Sequence, residues 1–173
     1  MKNLAILAVA AASVGAHAVL FETEPNNTPG TANFIARGAA PWADVGVMSL
    51  NPAGDVDWFI FDMNAGEYLT AITYPIGDDT ENNPDTMMAL WDSNLNQLDF
   101  DDDANGFGSA IRYHNVETGR YYLSITGFGD DNFTGDHSEQ GDYILTMSLV
   151  PEPATMIALA AGIAAIAARR RRK

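Results

Sequence analysis

Residues 57–74 read DWFIFDMNAGEYLTAITY. Asp57 to Met63 is a run of aromatic and β-branched residues, the composition that fits a pleated, buried surface. Asn64-Ala65-Gly66 is a turn, and Glu67 to Tyr74 resumes as a second strand. The same grammar extends in both directions. Upstream, Val45 to Leu50 alternates weakly and is closed by the turn Asn51-Pro52-Ala53-Gly54. Downstream, strands are expected at Thr86 to Trp91, Gln97 to Phe100, Ala110 to His114, Arg120 to Thr126 and Asp142 to Leu149. In the last of these, Tyr143, Leu145, Met147 and Leu149 share one face and Ile144, Thr146 and Ser148 the other. About eight short strands separated by turn signals predict an all-β sandwich, with a two-sheet jelly roll as the preferred architecture. Thr31 to Arg37 reads equally as a helical turn or a short strand. No helix is expected outside the two ends of the chain.

Those ends are address segments rather than fold. Lys2, the apolar run Leu4 to Val14 and Ala16-His17-Ala18 make a signal peptide over residues 1–18, with cleavage expected after Ala18. Residues 151–173 begin with the rigid triplet Pro151-Glu152-Pro153. An uncharged run, Ala154 to Ala168, and five terminal basic residues follow. An apolar run with a basic end reads as a membrane segment whose basic end stays in the cytoplasm. Its 15 residues would reach about 22 Å, short of the roughly 30 Å hydrocarbon core. The alternative is a terminal helix packed on the domain.

Residues 19–150 remain as one domain, large enough to bury a core. Of the 23 acidic residues only Glu152 lies outside it, leaving 22 against Arg37, Arg112 and Arg120, an acidic excess of 19. Such a surface repels nucleic acid and anionic lipid and attracts cations. With no cysteine, disulfide and thiol chemistry are excluded.

Two clusters have the oxygen donors a calcium ion requires. Glu22, Glu24 and Asn26 fall at alternate positions of an extended entry segment and face one way. Asp55 and Asp57 do the same at the mouth of the DWFIF strand. The plain alternative is an acidic loop beside strand-edge carboxylates. Asp101, Asp103, Asn105 and Gly106 reproduce the opening of an EF-hand loop, but Arg112 stands where the closing glutamate belongs. A simple turn explains them as well.

Of the three tryptophans, Trp58 reads as core, and Trp42, in a loop after Pro41, is the best platform for stacking a sugar. No G-x-S-x-G or H-E-x-x-H motif is present, and only His114 and His137 follow the leader. Adjacent acids such as Asp78 and Asp79 carry no information in so acidic a chain. Catalysis is not expected.

The order of triplet, apolar run and arginine cluster resembles the PEP-CTERM sorting signal. That resemblance implies export, recognition by the membrane protease-transpeptidase exosortase, and an association with exopolysaccharide. The blocks ETEPNNT, GDVDWFIFDMNAGEYL, DTMMALWDSNLNQLDFDDD, GRYYLSITG and GDYILTMSL, over roughly residues 22–149, resemble the bacterial pre-peptidase C-terminal domain. This second resemblance implies a non-catalytic jelly-roll sandwich. Among its collagen-binding relatives, an acidic entry segment and an acidic loop share calcium. Together these readings predict an exported, calcium-stabilised structural or adhesive protein of the cell envelope or extracellular matrix. Its expected partners are the export machinery, exosortase, the membrane, and exopolysaccharide or a matrix protein. A carbohydrate-binding module is the main alternative and a glycan hydrolase a further one.

Overall fold

A computed structural model describes residues 19–77 and 83–170 of the chain. The signal peptide with its cleavage after Ala18, the pair Asp78 and Asp79, and the last three basic residues lie outside the described residues. The described strands are β1 (Asn33–Phe34), β2 (Trp42–Leu50), β3 (Asp57–Met63), β4 (Glu67–Ile76) and β5 (Thr86–Trp91). They continue with β6 (Gln97–Asp101), β7 (Ala110–His114), β8 (Gly119–Gly127) and β9 (Gly141–Pro151), followed by helix α1 (Pro153–Arg170). The undecided stretch 31–37 thus resolves into the two-residue β1, parallel to β3. β2 begins three residues earlier than its alternation predicts, because it pairs with β9 along its whole length, from Trp42 opposite Leu149 to Leu50 opposite Gly141.

Two sheets form a sandwich, one ordered β1-β3-β8-β5-β6 and the other β2-β9-β4-β7. Consecutive strands lie in different sheets except for the β5–β6 pair, so β3 and β4, adjacent in sequence, belong to opposite sheets. The main core lies between the sheets. Phe59, Phe61, Leu90, Leu123 and Ile125 from one meet Leu50, Leu69, Tyr143, Leu145 and Leu149 from the other. Alternation puts these residues on the inner faces.

A second apolar cluster was not legible in the strand pattern. Val56, Trp58, Met87, Ala89 and Phe133 pack on the outer face of the five-stranded sheet. The cover is the 128–140 connection, which folds back over β3, β8 and β5. Asp130 organises it. Its carboxylate accepts from Thr126 Oγ1 at 2.8 Å, the Thr134 amide at 3.0 Å and the Gly135 amide at 2.7 Å. Burial works against that charge, yet these donors hold its pKa below the usual value. Gly135, at φ +83°, crosses so close to the β2–β3 turn that an added Cβ would sit 2.2 Å from the Gly54 carbonyl oxygen.

α1 forms where the uncharged run predicts, and its last turn carries Arg169 and Arg170. Among the described residues, no helix is long and apolar enough to cross a membrane.

Candidate cation site at the entry segment

The entry segment reaches its place through the backbone. Leu20 N–H donates to the Val45 carbonyl at 3.2 Å, and Trp58 N–H donates to the Asn26 carbonyl at 3.1 Å. The first contact requires glycine opposite, since a Cβ on Gly46 would lie 2.0 Å from the Leu20 carbonyl oxygen. Glu22 and Glu24 are thereby carried over the start of β3, and carboxylate oxygens of Glu22, Glu24 and Asp57 come within 4.8 Å of one another. Asp57 and Asn26 are fully buried. One terminal atom of the Asn26 amide lies 3.2 Å from Asp57 Oδ1 and 3.3 Å from Glu24 Oε1. With its nitrogen there the amide donates to both carboxylates; with its oxygen there, three oxygens converge, an arrangement that a proton or a cation would hold together.

Burial without counter-charge strains this group electrostatically. Glu22 is pushed from 4.5 up to about 7, first by burial and then by the charges of Glu24 and Asp55, against a hydrogen bond from the Ser49 backbone. Asp57 is raised well above its ordinary value, again by burial first and by the Glu22 charge next. Glu24 is raised chiefly by burial. Tyr143, from the inner face of β9, donates its hydroxyl to Asp57 Oδ2 at 2.5 Å and leaves Oδ1 facing the cluster. Glu22 Oε2 is buried without a hydrogen-bond partner. A proton or a cation is what such a site lacks, and the donor set is the hard oxygen set of calcium.

Asp55 has a different task. Its Oδ1 accepts from Asn27 Nδ2 at 2.7 Å and the Val56 amide at 2.9 Å, and its Oδ2 from the Asn51 amide at 2.9 Å. With both oxygens engaged in the β2–β3 turn, it contributes charge to the site rather than an inward-facing ligand atom. His137 Nε2 lies 2.8 Å from the Asp55 carbonyl oxygen and ties the covering loop to this turn. Tyr143 is the residue that motif reasoning missed. Its inward position was readable from β9, but its hydroxyl contact was not.

The EF-hand-like run divides differently from its spacing. Asp101 Oδ2 accepts from the Ala104 and Ala110 amides, at 3.1 Å and 2.7 Å, and Asn105 Nδ2 donates to the Thr73 carbonyl at 3.0 Å. Both residues brace the turn instead of converging. Asp103 instead meets Asp85 and Asp102, with carboxylate oxygens within 4.8 Å. Asp85 is raised to about 6 by burial, then by the charges of Asp102, Asp103 and Glu139.

Trp42 requires correction as a sugar platform. It is 8% exposed and belongs to the core between the sheets, because the early start of β2 turns its ring inward. The sorting triplet spans the junction of two elements: Pro151 ends β9, Pro153 opens α1, and Glu152 between them pairs with His114.

Residues 149–172 match the PEP-CTERM protein-sorting motif, which implies export and membrane-associated sorting. No curated protein matches the chain significantly. Among solved structures, the sandwich is similar to the pre-peptidase C-terminal domain of collagenase from Bacillus anthracis, at 16% identity over 68% of this chain and 93% of that one, with a TM-score of 0.44. It is also similar to PliG of Aeromonas hydrophila, a periplasmic inhibitor of g-type lysozyme, at 11% identity over 68% of this chain and 95% of that one, with a TM-score of 0.50. The likeness to PliG of Salmonella Typhimurium is at 15% identity over 68% and 97% of the two chains, with a TM-score of 0.41. These likenesses concern the fold.

Proposed function

We propose that this chain is an exported, non-catalytic β-sandwich whose acidic entry segment is fastened by calcium. Its role is structural or adhesive, at the cell envelope or in the extracellular matrix alongside exopolysaccharide. The observation that carries the reading is the convergence of Glu22, Glu24, Asn26 and Asp57 around buried, proton-hungry oxygens. Calcium there would neutralise like charges and join the start of the chain to β3 and, through Tyr143, to β9. The more open cluster of Asp85, Asp102 and Asp103 would be screened by the same ion at higher concentration. The sorting signal supports export, and α1 with its basic end would hold the membrane during sorting.

Thermal unfolding in EDTA, calcium and magnesium tests the reading. A ligand at about 100 times its dissociation constant adds roughly 2.7 kcal/mol. For a domain of this size that is a rise in Tm on the order of 10 °C. Magnesium, which demands a tighter octahedral shell, is expected to give much less. Equal transitions in EDTA and calcium would remove the cation from the account.

A carbohydrate-binding module keeps one specific observation in its favour. On the outer face of the five-stranded sheet, Trp91 and Phe100 each stand edge-to-face with Phe133, at centroid distances of 5.6 Å and 6.3 Å, and Phe100 is 40% exposed. Saturable binding of one glycan that is lost in Phe100→Ala would favour it.

A further inference from the structure

The sorting triplet is not carried on a free linker. Pro151 is still in register with Glu67, and Val150 with Tyr68, so β9 runs into the motif without a break. Glu152 N–H donates to the Gly66 carbonyl at 2.7 Å. The Glu152 side chain then passes over Gly66, where an added Cβ would lie 4.0 Å from its carboxyl carbon, and reaches His114 Nε2 at 2.5 Å. His114 is set by a stack on Tyr68, with ring centroids 4.4 Å apart and planes 17° from parallel. Arg112 lies 5.8 Å from the centroid of the same Tyr68 ring.

The floor under these contacts is rigid. Gly66 N–H donates to the Asn115 carbonyl and Asn115 N–H to the Glu67 carbonyl, both at 2.8 Å, and Glu67 N–H, on the same peptide plane as the Gly66 carbonyl, donates to the Asn64 carbonyl at 3.2 Å, which fixes the direction of the Gly66 carbonyl. Glu67 is itself held by Arg37 at 3.0 Å and by the Asn64 amide at 2.8 Å. The saddle of Gly66, Tyr68 and His114 is therefore pre-formed by the β3–β4 turn and β7, two parts of the chain distant from the tail in sequence.

We propose that this saddle is a binding site for the chain's own sorting motif, and that the folded domain thereby limits access to it. A processing enzyme that takes its substrate as an added strand needs the backbone donors and acceptors of the segment it reads. Here the Glu152 amide is already bonded to Gly66, and the only charge within the triplet is paired with His114. Reading the motif requires that β9 open from its C-terminal end. The opening is local, because Leu149 and the β9 residues before it alternate into the buried core and stay paired. The Glu152–His114 contact, about one-third exposed, and one backbone hydrogen bond together shift such an equilibrium by roughly tenfold. The gating consequence rests on processing of the motif by exosortase; the contact itself does not.

Hydrogen exchange on the full-length chain in detergent micelles tests the contact. The Glu152 amide is expected to exchange about tenfold more slowly than an unstructured amide. His114→Ala and His114→Gln should lower that protection by about two- to fivefold, while the amides of Leu145 and Met147 keep theirs. Free exchange at Glu152 in the wild-type chain, or unchanged protection in both variants, overturns the proposal. Co-expression with exosortase tests the consequence: both variants should lose the tail about two- to fivefold faster than wild type, and equal rates overturn the gating. If no chain is processed, the sorting reading falls and the gating with it, while the exchange data still decide the contact.

Discussion

Replacing Glu22 by glutamine separates the ion-free fold from the ion-bound one. In the ion-free fold Glu22 has a pKa of about 7 against 4.5 in the unfolded chain. The folded state therefore binds the proton more tightly. The stability this contributes is complete below pH 4.5 and is lost as pH rises through about 7. At about 1.4 kcal/mol per unit the shift corresponds to roughly 3 kcal/mol, and partial exposure of the side chain reduces this to about 2 kcal/mol. Glutamine cannot ionise, and its side-chain oxygen can still accept the Ser49 hydrogen bond. In EDTA at pH 8, Glu22→Gln should melt about 5–10 °C above wild type. Its loss of stability between pH 5 and 8 should be shallower, the remainder belonging to Asp57. In millimolar calcium the order should narrow or reverse, because the variant offers one carboxylate fewer. Circular-dichroism melts across this pH range, with and without calcium, measure all three effects. A variant that melts at or below wild type in EDTA at pH 8 would refute the claim that uncompensated charge destabilises the site.

Two other substitutions examine the sandwich away from the cation site. Trp42→Ala should cost about 3–5 kcal/mol in urea unfolding, because it empties core volume; a variant with unchanged stability would contradict the inward placement of the ring. Arg37→Ala leaves the Glu67 carboxylate, 7% exposed, without its ion-pair partner. It should cost about 3 kcal/mol in urea unfolding, and a loss below about 1 kcal/mol would mean that the Asn64 contacts suffice to hold Glu67.

Strand positions were legible because burial on one face imposes a period of two, and residues 143–149 show it without a break. What the sequence hides is contact between separate segments. Trp42 follows a proline and looks like loop, yet pairing with Leu149 draws it into β2 and turns it inward. Asp101 and Asn105 carry an EF-hand spacing, but their side chains are taken by amides and a carbonyl of the turn, while Asp103 finds Asp85, 18 positions away in sequence. That Glu22, Glu24 and Asn26 gather beside Asp57 was readable because an extended segment projects alternate residues to one side. That Asp55 would spend both oxygens on the β2–β3 turn depends on how that turn closes, which no spacing rule encodes. The loop over the outer sheet face offered no periodic signal, only Phe128 and Phe133 among polar neighbours.

Calorimetric titration with calcium near pH 6, repeated in buffers of different ionisation enthalpy, tests the central claim most directly. Glu22, titrating near 7, holds a proton at that pH and must release it to bind the ion, and burial and the Glu22 charge push Asp57 beside it in the same direction. The account predicts one tight site per chain, release of about one proton or more on binding, and loss of both signals in Asp57→Asn. Absence of binding, or binding with no proton released and no change in Asp57→Asn, would contradict a calcium-fastened entry segment.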